Sequence, residues 1–141
     1  MKILVYGIGA MGSIYASLLS RSNNEVFVVD PWKEHISEIK KNGLKIEGAS
    51  GNYTYKNINN NQFSNIIFVN RDKIKEVLTY STHLLITAPP DDKGCSIFNK
   101  FSSQILASNI KSLIYISSTG VYGNHNGDWV NERSLLKAKS Q

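Results

Sequence analysis

Residues 3–19, ILVYGIGAMGSIYASLL, decide the fold. Ile3–Tyr6 is a short apolar run closed by Gly7, which fits a strand buried on both faces. From Ala10 the period changes. Met11, Ile14, Tyr15, Leu18 and Leu19 recur at helical spacing and run to about Arg21, where the polar Ser22-Asn23-Asn24 turn ends the helix. A buried strand, a glycine-rich turn and a helix therefore follow one another within twenty residues.

That turn, Gly7-Ile8-Gly9-Ala10-Met11-Gly12, has the GxGxxG spacing of a dinucleotide-binding loop, in the strand-to-helix context it requires. Gly7 permits the tight turn, Gly9 lets a pyrophosphate approach the backbone, and Gly12 lets helix and strand pack closely. The phosphates would rest on the free amides and positive dipole end of the helix, at Ala10 and Met11. Asp30 supplies a second signal. It stands 18 residues after Gly12, at the end of the next β-branched run, Val26–Val29. An acid there can accept hydrogen bonds from an adenosine ribose and repel a 2′-phosphate, so the expected cofactor is NAD, with NADP as the alternative. The competing reading makes Asp30 a turn residue before Pro31.

Outward from this unit the alternation continues. Trp32–Lys41 reads as a helix capped by Asn42-Gly43, and Leu44–Glu47 as a third strand. Residues 48–65 are rich in Asn and Gly and carry Tyr53 and Tyr55 in alternation, which suggests a loop or hairpin of weak structure. Strand Ile66–Val69, helix Arg71–Tyr80, strand His83–Thr87, helix Ser96–Ala107 and strand Leu113–Ile116 complete the pattern, and a polar tail begins at about residue 131. Regular alternation implies an α/β, doubly wound parallel sheet of the Rossmann type, with residues 1–141 as a single dinucleotide-binding domain. Ligands in such sheets lie outside the carboxyl ends of strands, so Ala88, Pro89 and Ser117 would border the cofactor. Ala88 and Pro89 read equally well as a plain strand terminator.

Composition removes other function classes. Hydrophobic residues at 41% and charged residues at 19% describe an ordinary globular chain. The net charge of +5 is spread thinly, with no basic face gathered for nucleic acid. Cys95 is the one cysteine, so no intrachain disulfide forms and a reducing cytoplasm fits. Three scattered histidines show no metal-ligand spacing. Glycines 7, 9 and 12 interrupt the apolar start too early for a secretory signal, and no run reaches the ~20 apolar residues that span a bilayer.

Two family resemblances attach to these motifs. The first 48 residues, with ILVYGIGAMGSIYASLL and VFVVDPWKEHISEIKKNGLKIEG, resemble the start of ketopantoate reductases, which hold a nicotinamide cofactor on a Rossmann domain. From about Phe63 onward, THLLITAPPDDKG and SLIYISSTGVYGNHNGDWVNE resemble NAD-dependent epimerase/dehydratase-like short-chain dehydrogenases. That second resemblance places Ser118, four residues before Tyr122, at the family's catalytic Ser/Thr position near a substrate oxygen. It also implies a Tyr-x-x-x-Lys pair, and none of the seven tyrosines has a lysine four residues later. Without one, no lysine lowers a phenol's pKa for proton transfer.

Three expectations result. One is the NAD(P)-binding domain of an epimerase/dehydratase-like oxidoreductase, lacking its substrate domain and acting on a small carbonyl or sugar nucleotide. Another is a non-catalytic nucleotide-binding module. The third is a ketopantoate-reductase-like enzyme completed by another chain. An unprotected sheet edge would also allow a homodimer.

Overall fold

A computed structural model describes residues 1–48, 51–55 and 65–137. β1 (Lys2–Tyr6) leads into α1 (Ala10–Arg21), β2 (Glu25–Val29) and α2 (Lys33–Asn42). The short strands β3 (Leu44–Ile46), β4 (Tyr53–Tyr55) and β5 (Ile66–Phe68) come next. A 3₁₀ turn, Arg71–Lys73, opens α3 (Ile74–Tyr80), and β6 (His83–Ile86), α4 (Ser96–Leu106) and β7 (Ser112–Tyr115) follow.

Five of these strands form one parallel sheet in the order β5-β2-β1-β6-β7. Chain order runs outward from β1 to β5, then returns across the sheet to β6 and β7. This reversal is the Rossmann topology, and it places a crevice between the carboxyl ends of β1 and β6.

Strand pleating sorts the core into two layers. Ile3, Val5, Val26, Val28 and Leu85 point to one face and pack with Ala16 of α1 and with Ile36 and Ile39 of α2. Leu4, Tyr6, Phe27, Val29, Leu84 and Ile86 point to the other and meet Ile74, Val77 and Leu78 of α3 and Ile97 and Ile105 of α4. Helices cover both faces because β1, β2 and β6 are apolar at every position between Ile3 and Tyr6, Val26 and Val29, and Leu84 and Ile86. The doubly wound sheet expected from the alternation is what forms.

One strand departs from the expected alternation. β3 pairs antiparallel with β4, Leu44 opposite Tyr55 and Ile46 opposite Tyr53, outside the main sheet. The reason is length. A parallel neighbour needs a crossover of roughly a dozen residues or more. Between Ile46 and Tyr53 the chain has room only for a hairpin connection. The hairpin reading of Tyr53 and Tyr55 is realised, whereas 49–50 and 56–64 of the weakly structured segment lie outside the described residues. At the far end, the 3₁₀ turn Thr119–Tyr122 is the last regular element among the described residues, and Trp129 stands fully exposed.

Candidate active site at the sheet crossover

The fingerprint loop sits at the crevice between β1 and β6. Gly7 has φ +100°, and a Cβ there would lie 2.5 Å from the Ala88 amide nitrogen and 2.9 Å from Thr87 Oγ1. Gly12 is as tightly hemmed. Its missing Cβ would strike the Gly7 carbonyl oxygen and come within 2.7 Å of Thr87 Oγ1. Thr87 locks this packing by donating its hydroxyl proton to the Gly7 carbonyl at 2.7 Å. Sequence reading took Thr87 only as the end of a strand, because nothing in the local pattern shows that its hydroxyl meets residue 7.

Gly9 is different. It is exposed, its φ of −64° is open to any residue, and a Cβ would meet nothing within 4 Å. The protein's own packing therefore explains Gly7 and Gly12 but gives no reason for Gly9. It occupies the N-cap of α1 without offering a side-chain cap, so the first-turn amides of a 12-residue helix face outward uncapped. Ala10 and Met11 are exposed beside it.

Between these glycines, the Ile8 peptide is held from three directions. Its N–H donates to Asp30 Oδ2 at 2.7 Å, while its carbonyl accepts from Ser13 Oγ and from His35 Nε2, each at 2.9 Å. A carbonyl only accepts, so His35 carries its proton on Nε2. The His35 ring also stacks on Trp32, with centroids 5.2 Å apart. Neither His35 nor Ser13 was legible as a site residue. Their role depends on how closely α2 approaches the loop after β1, and α2 shows this only when folded.

Asp30 stands half-buried after β2, as expected, but its carboxylate already serves the backbone. Oδ2 takes the Ile8 amide, and Oδ1 takes the Trp32 amide at 2.7 Å. The turn reading is realised through the Trp32 amide, and each oxygen retains a second lone pair able to accept a further hydrogen bond. Beside Asp30 opens a cavity of about 850 Å³ over the carboxyl ends of β2 and β5, lined also by Lys33, Lys40, Val69, Asn70 and Arg71. Its size lies in the range of small-molecule sites.

The remaining sequence candidates are placed as follows. Ala88 borders the crevice through its contact with Gly7, its amide bonded to the Tyr6 carbonyl, and Pro89 is exposed beyond it. Ser117 and Ser118 are exposed after β7, which is one strand further out than β6. Ser118 Oγ accepts the Gly120 amide at 3.1 Å and so caps its own turn. Near these ends, burial and then the Cys95 thiol push the Tyr115 phenol above its ordinary value. No group of three or more potential metal ligands occurs among the described residues.

Comparison with known proteins decides between the two resemblances. The family model of ketopantoate reductase PanE/ApbA matches residues 3–87, more than half of the chain. The chain belongs to the ketopantoate reductase family. It is a ketopantoate-reductase-like Rossmann domain of the NAD(P)-binding type. A 2-dehydropantoate 2-reductase of Streptococcus pyogenes serotype M1 is 42% identical over 48 residues, covering 34% of this chain and 16% of the relative. Among solved structures, a functionally unknown conserved protein from Silicibacter pomeroyi is similar over 99% of this chain and 42% of its own, with TM-score 0.71 and 21% identity. A D-mandelate dehydrogenase with NADH and anilino(oxo)acetate is similar over 84% of this chain and 34% of its own, with TM-score 0.58 and 22% identity. At these identities the structural likeness speaks for the fold. The chain spans less than half the length of these proteins. No support comes for the epimerase/dehydratase resemblance, and the ketopantoate reductase match stops before Ser117 and Ser118. Among the described residues no helix is long and apolar enough to cross a membrane.

Proposed function

We propose that this chain is the dinucleotide-binding part of a ketopantoate-reductase-type oxidoreductase and that it binds NADH or NADPH at the crevice between β1 and β6. The observation that carries this reading is Gly9, a glycine the fold does not need, set at an uncapped helix N-terminus. Gly9, Ala10 and Met11 would hold the pyrophosphate through backbone amides, and Gly7 and Gly12 give the loop its shape. Asp30 orients the loop through Ile8 and borders the ribose, and Ala88 and Pro89 wall the nicotinamide side. Bound there, the cofactor would supply a hydride to the carbonyl carbon of a small substrate.

Fluorescence titration with NADH and NADPH tests the reading, and saturable binding of at least one is expected. Binding of neither would remove it. Turnover is a separate matter. Orientation and exclusion of water supply much of an enzyme's rate, so the 141-residue chain is expected to bind cofactor without oxidising it on a carbonyl panel. That outcome corresponds to the nucleotide-binding module. A role for Ser118 as an epimerase-type substrate contact rests on its exposed hydroxyl alone. Ser118→Ala is expected to leave cofactor affinity unchanged. Pairing of two copies along β7 is favoured by its uncharged, exposed Leu113, Ile114 and Tyr115; sedimentation of a monomer at micromolar concentration would reject it.

A further inference from the structure

We propose that His35 is a positioning residue for the dinucleotide: its Nε2–H clamps the Ile8–Gly9 peptide and so aims the Gly9 amide at the pyrophosphate. This rests on the dinucleotide reading above and deepens it, because the glycine motif by itself calls for no imidazole on the following helix.

The carbonyl of Ile8 and the N–H of Gly9 belong to one trans peptide and point in opposite directions. The carbonyl is turned inward. There Ser13 Oγ and His35 Nε2 each donate to it at 2.9 Å, using both of its lone pairs. The Gly9 N–H is thereby turned the other way, at an exposed residue, and among the described residues it meets no acceptor. The two donors differ in reach. Ser13 lies only 5 residues on, in the helix that the loop itself opens, so its bond travels with the loop. His35 lies 27 residues on, in α2, and ties the same peptide to a second element.

The His35 ring is itself held. It is half-buried and stacks on Trp32, with centroids 5.2 Å apart and planes 20° from parallel. The Trp32 amide is fixed by Asp30 Oδ1, and Asp30 Oδ2 takes the Ile8 amide. Asp30 and His35 thus grip two successive peptides, Gly7–Ile8 through its N–H and Ile8–Gly9 through its carbonyl. An amide already held in direction leaves less to be ordered when a pyrophosphate arrives, and preorganisation of that kind shows as affinity.

The test measures the affinity of the full chain for NADH and for ADP-ribose in the wild type, His35→Phe and His35→Gln, with a melting curve for each. Phenylalanine keeps a ring for Trp32 and removes the N–H. Glutamine gives up the ring and keeps an N–H at a similar reach. Either way the Ile8 carbonyl retains its bond from Ser13, so both variants should fold. Affinity for both ligands should fall about three- to tenfold in His35→Phe, the scale of one hydrogen bond, and return to within about twofold of the wild type in His35→Gln. ADP-ribose carries the pyrophosphate without the nicotinamide and should lose as much as NADH. Unchanged affinity in His35→Phe, or an equal loss in His35→Gln, overturns the assignment. Amide resonances give a readout independent of the variants: ADP-ribose should shift the Gly9 amide of the wild type, and an unshifted Gly9 amide in that complex overturns the assignment as well. Failure of the wild type to bind either ligand overturns the cofactor reading beneath it.

Discussion

Gly9 and Gly12 share a motif but answer to different neighbours, and substitution should separate them. Gly9→Val adds atoms to open space, so the chain should fold with an unchanged melting temperature while NAD(P)H affinity drops by tenfold or more. Gly12→Ala drives a methyl into the Gly7 carbonyl and Thr87. The account predicts a loss of about 1–3 kcal/mol, the usual cost of overpacking, measured by urea denaturation. Asp30→Ala orphans the amides of Ile8 and Trp32 and should cost about 1–3 kcal/mol by the same measurement. An unchanged urea midpoint would mean that the two amides find water at no loss. At this scale the glycine spacing was legible because Gly7 and Gly12 answer to close backbone packing where the strand turns into the helix, while Gly9 answers to the ligand such a loop takes. Asp30 was legible by position only. A carboxylate before proline suits a ribose and a turn alike, and which atoms it meets is decided by the fold.

The central strands were readable because each is apolar at successive positions, a pattern that suits a strand covered on both faces. The β3–β4 hairpin was readable only in part: Tyr53 and Tyr55 alternate like one arm, but the antiparallel pairing of β3 with that arm, outside the main sheet, was set by the short connection to Tyr53. His35 was hidden for a related reason. It lies on α2 one residue from buried Ile36, and its bond to Ile8 depends on how that helix docks. Docking also shapes pH behaviour where α3 meets the sheet. Tyr80 stacks edge-on against Phe27, and burial, with Glu76 and Glu25 adding to it, raises its phenol above the ordinary 10.0. The folded chain thus holds this proton more tightly than the unfolded one. Its contribution is complete below about pH 10 and is lost as pH climbs through the raised value. Urea midpoints followed from pH 9 upward should fall less steeply in Tyr80→Phe than in the wild type. Parallel curves would show that Tyr80 does not contribute.

For the molecule as a whole, the sheet order β5-β2-β1-β6-β7 explains why residues far apart in sequence share one crevice. Gly7 and Ala88 touch only because the chain crosses back over β1 to place β6. The sequence motifs pointed to both halves of this crevice, and the alternation of strands and helices implied the crossing. The assignment of the second half to an epimerase-like family was misled by the loop SSTGVYG, which Ser118 and Gly120 hold as a local turn. Such a turn follows from serine and glycine at that spacing and does not by itself require a catalytic neighbour. The central claim is that a pyrophosphate binds over Gly9. Titration of the wild type and of Gly9→Val with NADPH and NADH, followed by nicotinamide fluorescence, tests it most directly. The account predicts saturable binding in the wild type and its loss in a Gly9→Val chain that still melts at the wild-type temperature. Equal binding by the two proteins would contradict it.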